Sequence, residues 1–327
     1  MHTWSVAPRA WFFAAIVAGG LAVAGGCAVP DPHTPATSAF SLPRTIAVRV
    51  SGQIKNVPLE DYVLASALAE VTPVNESAAT VSRIYEVQAV LARTYAVSHL
   101  GRHHAEGFDL CDGTHCQLYA PARIATSRFA AAAADAVRRT AGLILSYGQR
   151  PAEALFHADC GGSTAGAEAV WGRPVPYLLP TSDDVPLAIH RSWKLTLTSE
   201  ELRTALNADT RSRIGRTLDR LEVSNRDVSG RATQIFLAGE REATIRGEDF
   251  RAVLNQKLGD RAMQSTRFSV TKSGRSYVFD GRGFGHGVGL CQLGASARAR
   301  RGDSLESIFA AYFRGTRIVK AAPAKMP

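Results

Sequence analysis

Residues 281–295 read GRGFGHGVGLCQLGA, with glycine at 281, 283, 285, 287 and 289. Glycine at strict period two predicts a β-strand with every glycine on one face and Arg282, Phe284, His286 and Val288 on the other. A strand so poor in side chains is entropically costly, and such strands mark close approach by a ligand or by another backbone. Two readings follow: a binding groove, or a tight packing seam. A phosphate-binding loop is the weaker reading, because the glycines do not fall as GxGxxG and no GK[ST] follows.

Working outward, 327 residues with 46% apolar content suffice for a full core and one or two domains. The net charge of +9 suits an acidic polymer partner, but the basic residues are mostly dispersed arginines. No Lys/Arg block of the nucleic-acid type is present, so nucleic acid is not expected as a partner. At the N-terminus, Arg9 precedes an apolar run, Ala10–Ala24, too short for a comfortable membrane span and patterned like a signal peptide. Ala24-Gly25-Gly26-Cys27 resembles a bacterial lipobox, which makes Cys27 the expected lipidation site. The expectation is an exported, membrane-anchored lipoprotein, periplasmic at an outer membrane if the cell is Gram-negative. The Pro/Ser/Thr-rich stretch that follows reads as a tether.

The expected organisation is a signal peptide over 1–26, a tether over 27–43, and a core from 44–188 and 269–320. A smaller α/β subdomain is inserted at 189–268, and 321–327 form a tail. The fold class is α+β, with a groove between core and insert. Pro58–Glu70 reads as a helix whose inner face carries Leu59, Tyr62, Val63 and Ser66, with Glu70 eleven residues from Leu59 on the same face. Burial would raise the Glu70 pKa and hold it protonated, as a general acid requires; the plain alternative is an ordinary glutamate at a helix edge. Ser82–His99 reads as a helix buried nearly all round. Arg93 inside it needs an anion, either a ligand or an internal carboxylate.

His103-His104 precede Cys111-Asp112-Gly113-Thr114-His115-Cys116. His104, Cys111, His115 and Cys116 make a candidate structural zinc set, and a Cys111–Cys116 disulfide is the competing reading. Thr126–Thr140 reads as an alanine-rich helix. Leu143–Tyr147 and Ala152–His157 read as a hairpin.

Several separated stretches, in order, resemble the stage II sporulation protein D family of cell-wall glycan-cleaving proteins. They are PLEDYVLASALAE (58–70), QAVLARTYAV (88–97), CDGTHCQLY (111–119), HADCGGST (157–164), GRGFGHGVGLCQLGA and ESIFAAYFRGT (306–316). The resemblance implies lytic transglycosylase action on peptide-stripped peptidoglycan glycan strands, with an N-acetylmuramoyl amidase as partner. It implies Glu70 as the acid/base, and Arg93, His286, Gln292, Gly285 and Gly287 at the substrate. It strengthens the zinc reading. Where many members carry serine, this chain has Cys160 and Cys291; if their two turns border one cleft, a disulfide between them is implied. The family's EALKAQAV is here RIYEVQAV, so a cation usual on that helix is replaced by Glu86. A non-catalytic glycan binder remains the second reading. A thiol enzyme using Cys160 or Cys291 with His157 or His286 is the third.

Overall fold

The computed structural model describes residues 36–323, so Cys27 and the signal-peptide stretch lie outside the described residues. Strands β1 (Ala36–Leu42), β2 (Thr45–Val50) and β3 (Gln53–Pro58) lead into helices α1 (Leu59–Glu70) and α2 (Ala78–Ser98). Then come β4 (Leu110–Cys111), α3 (Arg123–Thr126), α4 (Ala130–Arg139), β5 (Leu143–Tyr147), β6 (Arg150–Pro151), β7 (Phe156–His157) and α5 (Ala167–Trp171). The next segment holds β8 (Ser192–Thr198), α6 (Ser199–Asn207), β9 (Arg220–Arg226), β10 (Ala232–Ala238), β11 (Glu242–Arg246) and α7 (Gly247–Leu258). The chain continues through β12 (Phe268–Ser273), β13 (Ser276–Arg282), β14 (Leu290–Cys291), α8 (Gln292–Arg300), α9 (Leu305–Tyr312) and β15 (Arg317–Pro323). The class is α+β. Among the described residues no helix is long and apolar enough to cross a membrane.

Helix α2 is the axis of the fold. Fifteen of its 21 residues are buried. One side packs with β2, α1 and the 108–116 turn, the other with β14, α8 and α9. It starts at Ala78 rather than Ser82 because Ser77 caps it, its hydroxyl accepting the Thr80 N–H. Thr94 inside it accepts the Leu145 N–H at 2.9 Å, tying the helix to β5. Helix α1 begins after Pro58, and Glu60 and Asp61 sit in its first turn, where the helix dipole favours anions.

Several expectations are corrected. The tether does not extend to residue 43: Ala36–Leu42 form β1, paired in parallel with β15, and that pairing carries the expected tail into the sheet as far as Pro323. The alanine-rich helix starts at Ala130 rather than Thr126, and Arg123–Thr126 form a separate short helix before it. Ser127 is extended and its hydroxyl accepts the Phe129 N–H, a local bond that competes with helix continuation. The hairpin keeps only two pairs beyond Gly148-Gln149, and β7 instead pairs in parallel with β14.

The glycine run is not a strand. Strand β13 ends at Arg282, and Gly283, Gly285, Gly287 and Gly289 all take positive φ, between 73° and 106°. Alternating left-handed residues make a sinuous ribbon rather than a pleat, so the period of two marks backbone sign changes. The packing-seam reading describes it. A Cβ at Gly289 would strike the Leu155 carbonyl, and one at Gly287 the Arg231 guanidinium. The ribbon is stitched to its surroundings by bridges from Phe284 to Asp159 and from Val288 to Ala165.

The segment after Ile189 has a hydrophobic cluster of its own, drawn wholly from residues between Trp193 and Phe279. It reaches past 268, because β8 pairs with β13 and β13 with β12 in one antiparallel sheet. The strand that feeds the glycine ribbon therefore belongs to this cluster.

Candidate active site

Glu70 ends α1 and is half-buried. Its Oε1 accepts the backbone N–H of Leu118 at 2.7 Å. Burial pushes its pKa from 4.5 up to about 7, with the Leu118 N–H pulling the other way. A carboxyl group so placed holds a proton through a large part of the time near neutral pH and gives it up readily, which is what general acid/base work needs.

Val71, the next residue, lines a small cavity of about 10 Å³ with Gln88, Leu290, Gln292 and Ser296. The structure therefore brings Gln292 of the glycine signature to the neighbour of Glu70. Gln292 Nε2 donates to Gln88 Oε1 at 3.2 Å, and among the described residues the buried Gln88 Nε2 has no hydrogen-bond partner. Gln88 was absent from the sequence-derived site, although it opens the QAVLARTYAV motif.

Arg93 is not at a substrate surface. It is fully buried, and its Nε and Nη2 donate to the two Glu60 carboxylate oxygens at 2.8 and 2.6 Å, with Nη1 on the Leu143 carbonyl. The carboxylate that answers it is internal, from the first turn of α1. His286 is likewise fixed by backbone: Nε2 lies 3.0 Å from the Phe156 carbonyl and Nδ1 accepts the Val288 N–H at 3.1 Å. Both ring nitrogens are used, and burial lowers its pKa to about 3, so it is a neutral structural imidazole. Gly285 and Gly287 make room for His157 and Arg231 respectively, so the groups they admit are the protein's own.

The thiols Cys160 and Cys291 do meet. Both are fully buried, and the Cys160 N–H donates to Cys291 Sγ at 3.3 Å. They are free thiols rather than the implied disulfide. Burial raises the Cys291 pKa well above its usual value, and among the described residues neither imidazole, His157 nor His286, hydrogen-bonds either sulfur. The thiol-enzyme reading has no nucleophile–base pair to stand on. Asp159 is also committed, to His190 Nδ1 at 2.6 Å and the Arg191 N–H at 2.7 Å.

The cysteine–histidine turn gathers His103, Cys111, His115 and Cys116, their ligand atoms all within 4.8 Å of one another. His104 is corrected to His103. The short helical turn His104–Glu106 leaves His104 exposed and places His103 inward, stacked on Phe108 with centroids 4.4 Å apart. The two sulfurs lie 3.2 Å apart and unbridged, and Cys116 Sγ lies 3.5 Å from His103 Nε2 and 3.8 Å from His115 Nδ1. A tetrahedral zinc with Zn–S near 2.3 Å and Zn–N near 2.0 Å sets ligand separations of roughly 3.3–3.8 Å; both Cys116 sulfur–nitrogen distances fall in that range and the two sulfurs lie slightly inside it, so two thiols and two imidazoles are gathered closely enough to take the ion. The outer shell fits too: His103 Nδ1 meets Glu106 Oε1 at 2.5 Å, and Arg49 holds Glu106 at 2.8 Å. Burial lowers the His115 pKa, favouring the neutral, ligating imidazole. The same turn carries Leu118, so this cluster positions the N–H that Glu70 accepts.

A family model for the stage II sporulation protein matches residues 49–147, and a domain of unknown function matches 168–289. The chain is 28% identical over 282 residues to the stage II sporulation protein D of Bacillus subtilis (strain 168), covering 82% of this chain and 76% of that one. It is 30% identical over 272 residues to an uncharacterized protein of Brachyspira hyodysenteriae, covering 81% and 68%. It is 26% identical over 276 residues to the amidase enhancer of Bacillus subtilis, covering 71% of this chain but only 37% of that protein. With the glutamate helix, the cysteine–histidine turn and the glycine ribbon all in place, the chain belongs to the stage II sporulation protein D family.

Proposed function

We propose that this protein acts on the bacterial cell wall as a lytic transglycosylase, cutting the MurNAc–GlcNAc bond of peptide-stripped glycan strands and leaving 1,6-anhydro-MurNAc ends. The observation that carries the reading is the Glu70 carboxyl, held by burial at a pKa of about 7 with a single backbone donor on Oε1. Protonated Glu70 gives its proton to the glycosidic oxygen as the C1–O bond breaks, and positive charge develops at C1 and the ring oxygen. The carboxylate then takes the proton of the C6 hydroxyl, whose oxygen closes on C1. One carboxyl group suffices, and no activated water enters. Asp159, bound within the fold, is no second acid for it.

His103, Cys111, His115 and Cys116 would hold one zinc ion. Its contribution would be structural, cross-linking the turn through these four side chains. Leu118 then offers its N–H at a fixed place, which lowers the Glu70 pKa from where burial alone would set it. Gln292, beside Val71, orients the sugar, and the buried Gln88 holds the Gln292 amide in place. We assign the protein to the exported fraction, anchored by lipid on Cys27, with an amidase supplying stripped strands.

A second reading is a non-catalytic glycan-binding partner of an amidase, which the similarity to the amidase enhancer over 71% of the chain favours. Release of soluble fragments from dye-labelled stripped strands separates the two. Loss of release in Glu70→Gln with strand binding retained supports catalysis; binding without release by the unaltered protein supports the partner role.

A further inference from the structure

A cleft of about 610 Å³ opens on the sheet formed by β8, β13 and β12. Three guanidinium groups line it: Arg226, Arg267 and Arg282. Each is positioned by backbone carbonyls. Arg226 donates to the Gly230 and Phe268 carbonyls at 2.9 and 2.8 Å, Arg267 to Gly161 at 2.6 Å, and Arg282 to Leu187 at 3.2 Å. Among the described residues none of the three forms an ion pair with a carboxylate, although the chain carries 29 acidic residues and many of its other arginines do. The one carboxylate in the lining, Asp280, faces Lys194 at 3.3 Å on the neighbouring strand. Two more arginines, Arg191 and Arg261, lie over the Phe284 ring, 5.5 and 5.7 Å from its centroid, two residues beyond Arg282.

Arg267 is half-buried and Arg226 and Arg282 are exposed, and with backbone carbonyls as their acceptors and no carboxylate paired with them their charge is free for an arriving anion. We propose that this cleft is a binding subsite for the carboxylate of an acidic sugar, with Arg226, Arg267 and Arg282 reading the charge. The planar guanidinium fork suits a carboxylate. The volume lies within the roughly 300–1,000 Å³ of small-ligand clefts, and the exposed Ser192 and Ser269 offer hydroxyls to sugar oxygens. A localised cluster matches a polymer whose charges are widely spaced, one per disaccharide. Nucleic acid, with a charge every ~1.7 Å of duplex, calls for a line of cations. The proposal rests on the glycan reading above and deepens it: the lactyl carboxylate of muramic acid is free only when the peptide has been removed. The subsite thereby distinguishes stripped from peptide-bearing strands, independently of the chemistry at Glu70.

The test uses the full chain carrying Glu70→Gln, so that strands are bound and not cut. Affinity is measured by calorimetry for a (GlcNAc–MurNAc)₂ tetrasaccharide with free lactyl carboxylates and for the same tetrasaccharide with those carboxylates converted to amides. The free acid is expected to bind about tenfold tighter at low salt, and Arg226→Gln/Arg282→Gln is expected to erase that preference, bringing the acid down to the affinity of the amide. Arg282→Glu, at an exposed position with one backbone bond, is the second variant and is expected to favour the amide. Equal affinity for acid and amide, or a preference that survives both variants, overturns the subsite while leaving the glycan reading intact. Binding of neither sugar overturns both. Tighter binding of a single-stranded oligonucleotide than of the acid, lost in the same variants, overturns the subsite in favour of nucleic acid.

Discussion

The backbone N–H of Leu118 donates to Oε1 of Glu70 across 48 residues of chain, joining the cysteine–histidine turn to the last residue of α1. The bond stabilises the carboxylate while burial destabilises it, and the balance leaves the pKa at about 7.

That balance sets the pH dependence of activity. Because Glu70 must start protonated, kcat/KM for stripped strands should fall above pH 7 with an apparent pKa near 7. A pH–rate profile that stays flat from pH 6 to 9 would remove Glu70 as the general acid.

The same residue costs stability. Its folded pKa lies above the ordinary 4.5, so the folded state keeps a proton that the unfolded chain loses between those values. Stability is therefore highest below about pH 4.5 as far as this group is concerned, falls as pH rises to about 7, and is level above. Glu70→Gln should stabilise the protein by about 1–3 kcal/mol at pH 8 and by much less at pH 5, read from urea unfolding at the two pH values. Equal effects at both would contradict the burial account.

Purified protein should carry close to one zinc per chain by elemental analysis. His103→Ala should abolish this and His104→Ala should not, because His103 lies against Cys116 and His104 is exposed. Chelation should slow strand cleavage through the loosened Leu118 N–H. Full metal content in His103→Ala would return the assignment to His104.

Arg93 and Glu60 are a packing pair. Glu60→Gln leaves a fully buried guanidinium without its counter-ion and should destabilise by about 2 kcal/mol, below the full cost of a broken buried pair because Glu60 is itself 42% exposed. The KM for strands at a temperature where the variant is folded should be unchanged. A raised KM with unaltered stability would restore Arg93 to the substrate.

The sequence conveyed the helices well, because apolar periodicity and caps are local. Helix α1 ends at Glu70 as read, and Glu70 stands where the period of α1 put it. Period two misled at the glycine ribbon: it cannot tell a pleated strand from alternating positive-φ turns, since glycine permits both. The partners of Arg93 and Glu70 were illegible for another reason. A glutamate 33 residues upstream and a backbone N–H 48 residues downstream are chosen by how α1, α2 and the 111–119 turn dock, and nothing local marks them. His103 had a local signal that went unused, Glu106 three residues on, placed to hold the far ring nitrogen of a ligating histidine.

The most direct measurement is mass spectrometry of the ends released from peptide-stripped strands by the unaltered protein and by Glu70→Gln. The account predicts 1,6-anhydro-MurNAc ends that disappear in the variant. Reducing MurNAc ends, or anhydro ends that persist without Glu70, would contradict it.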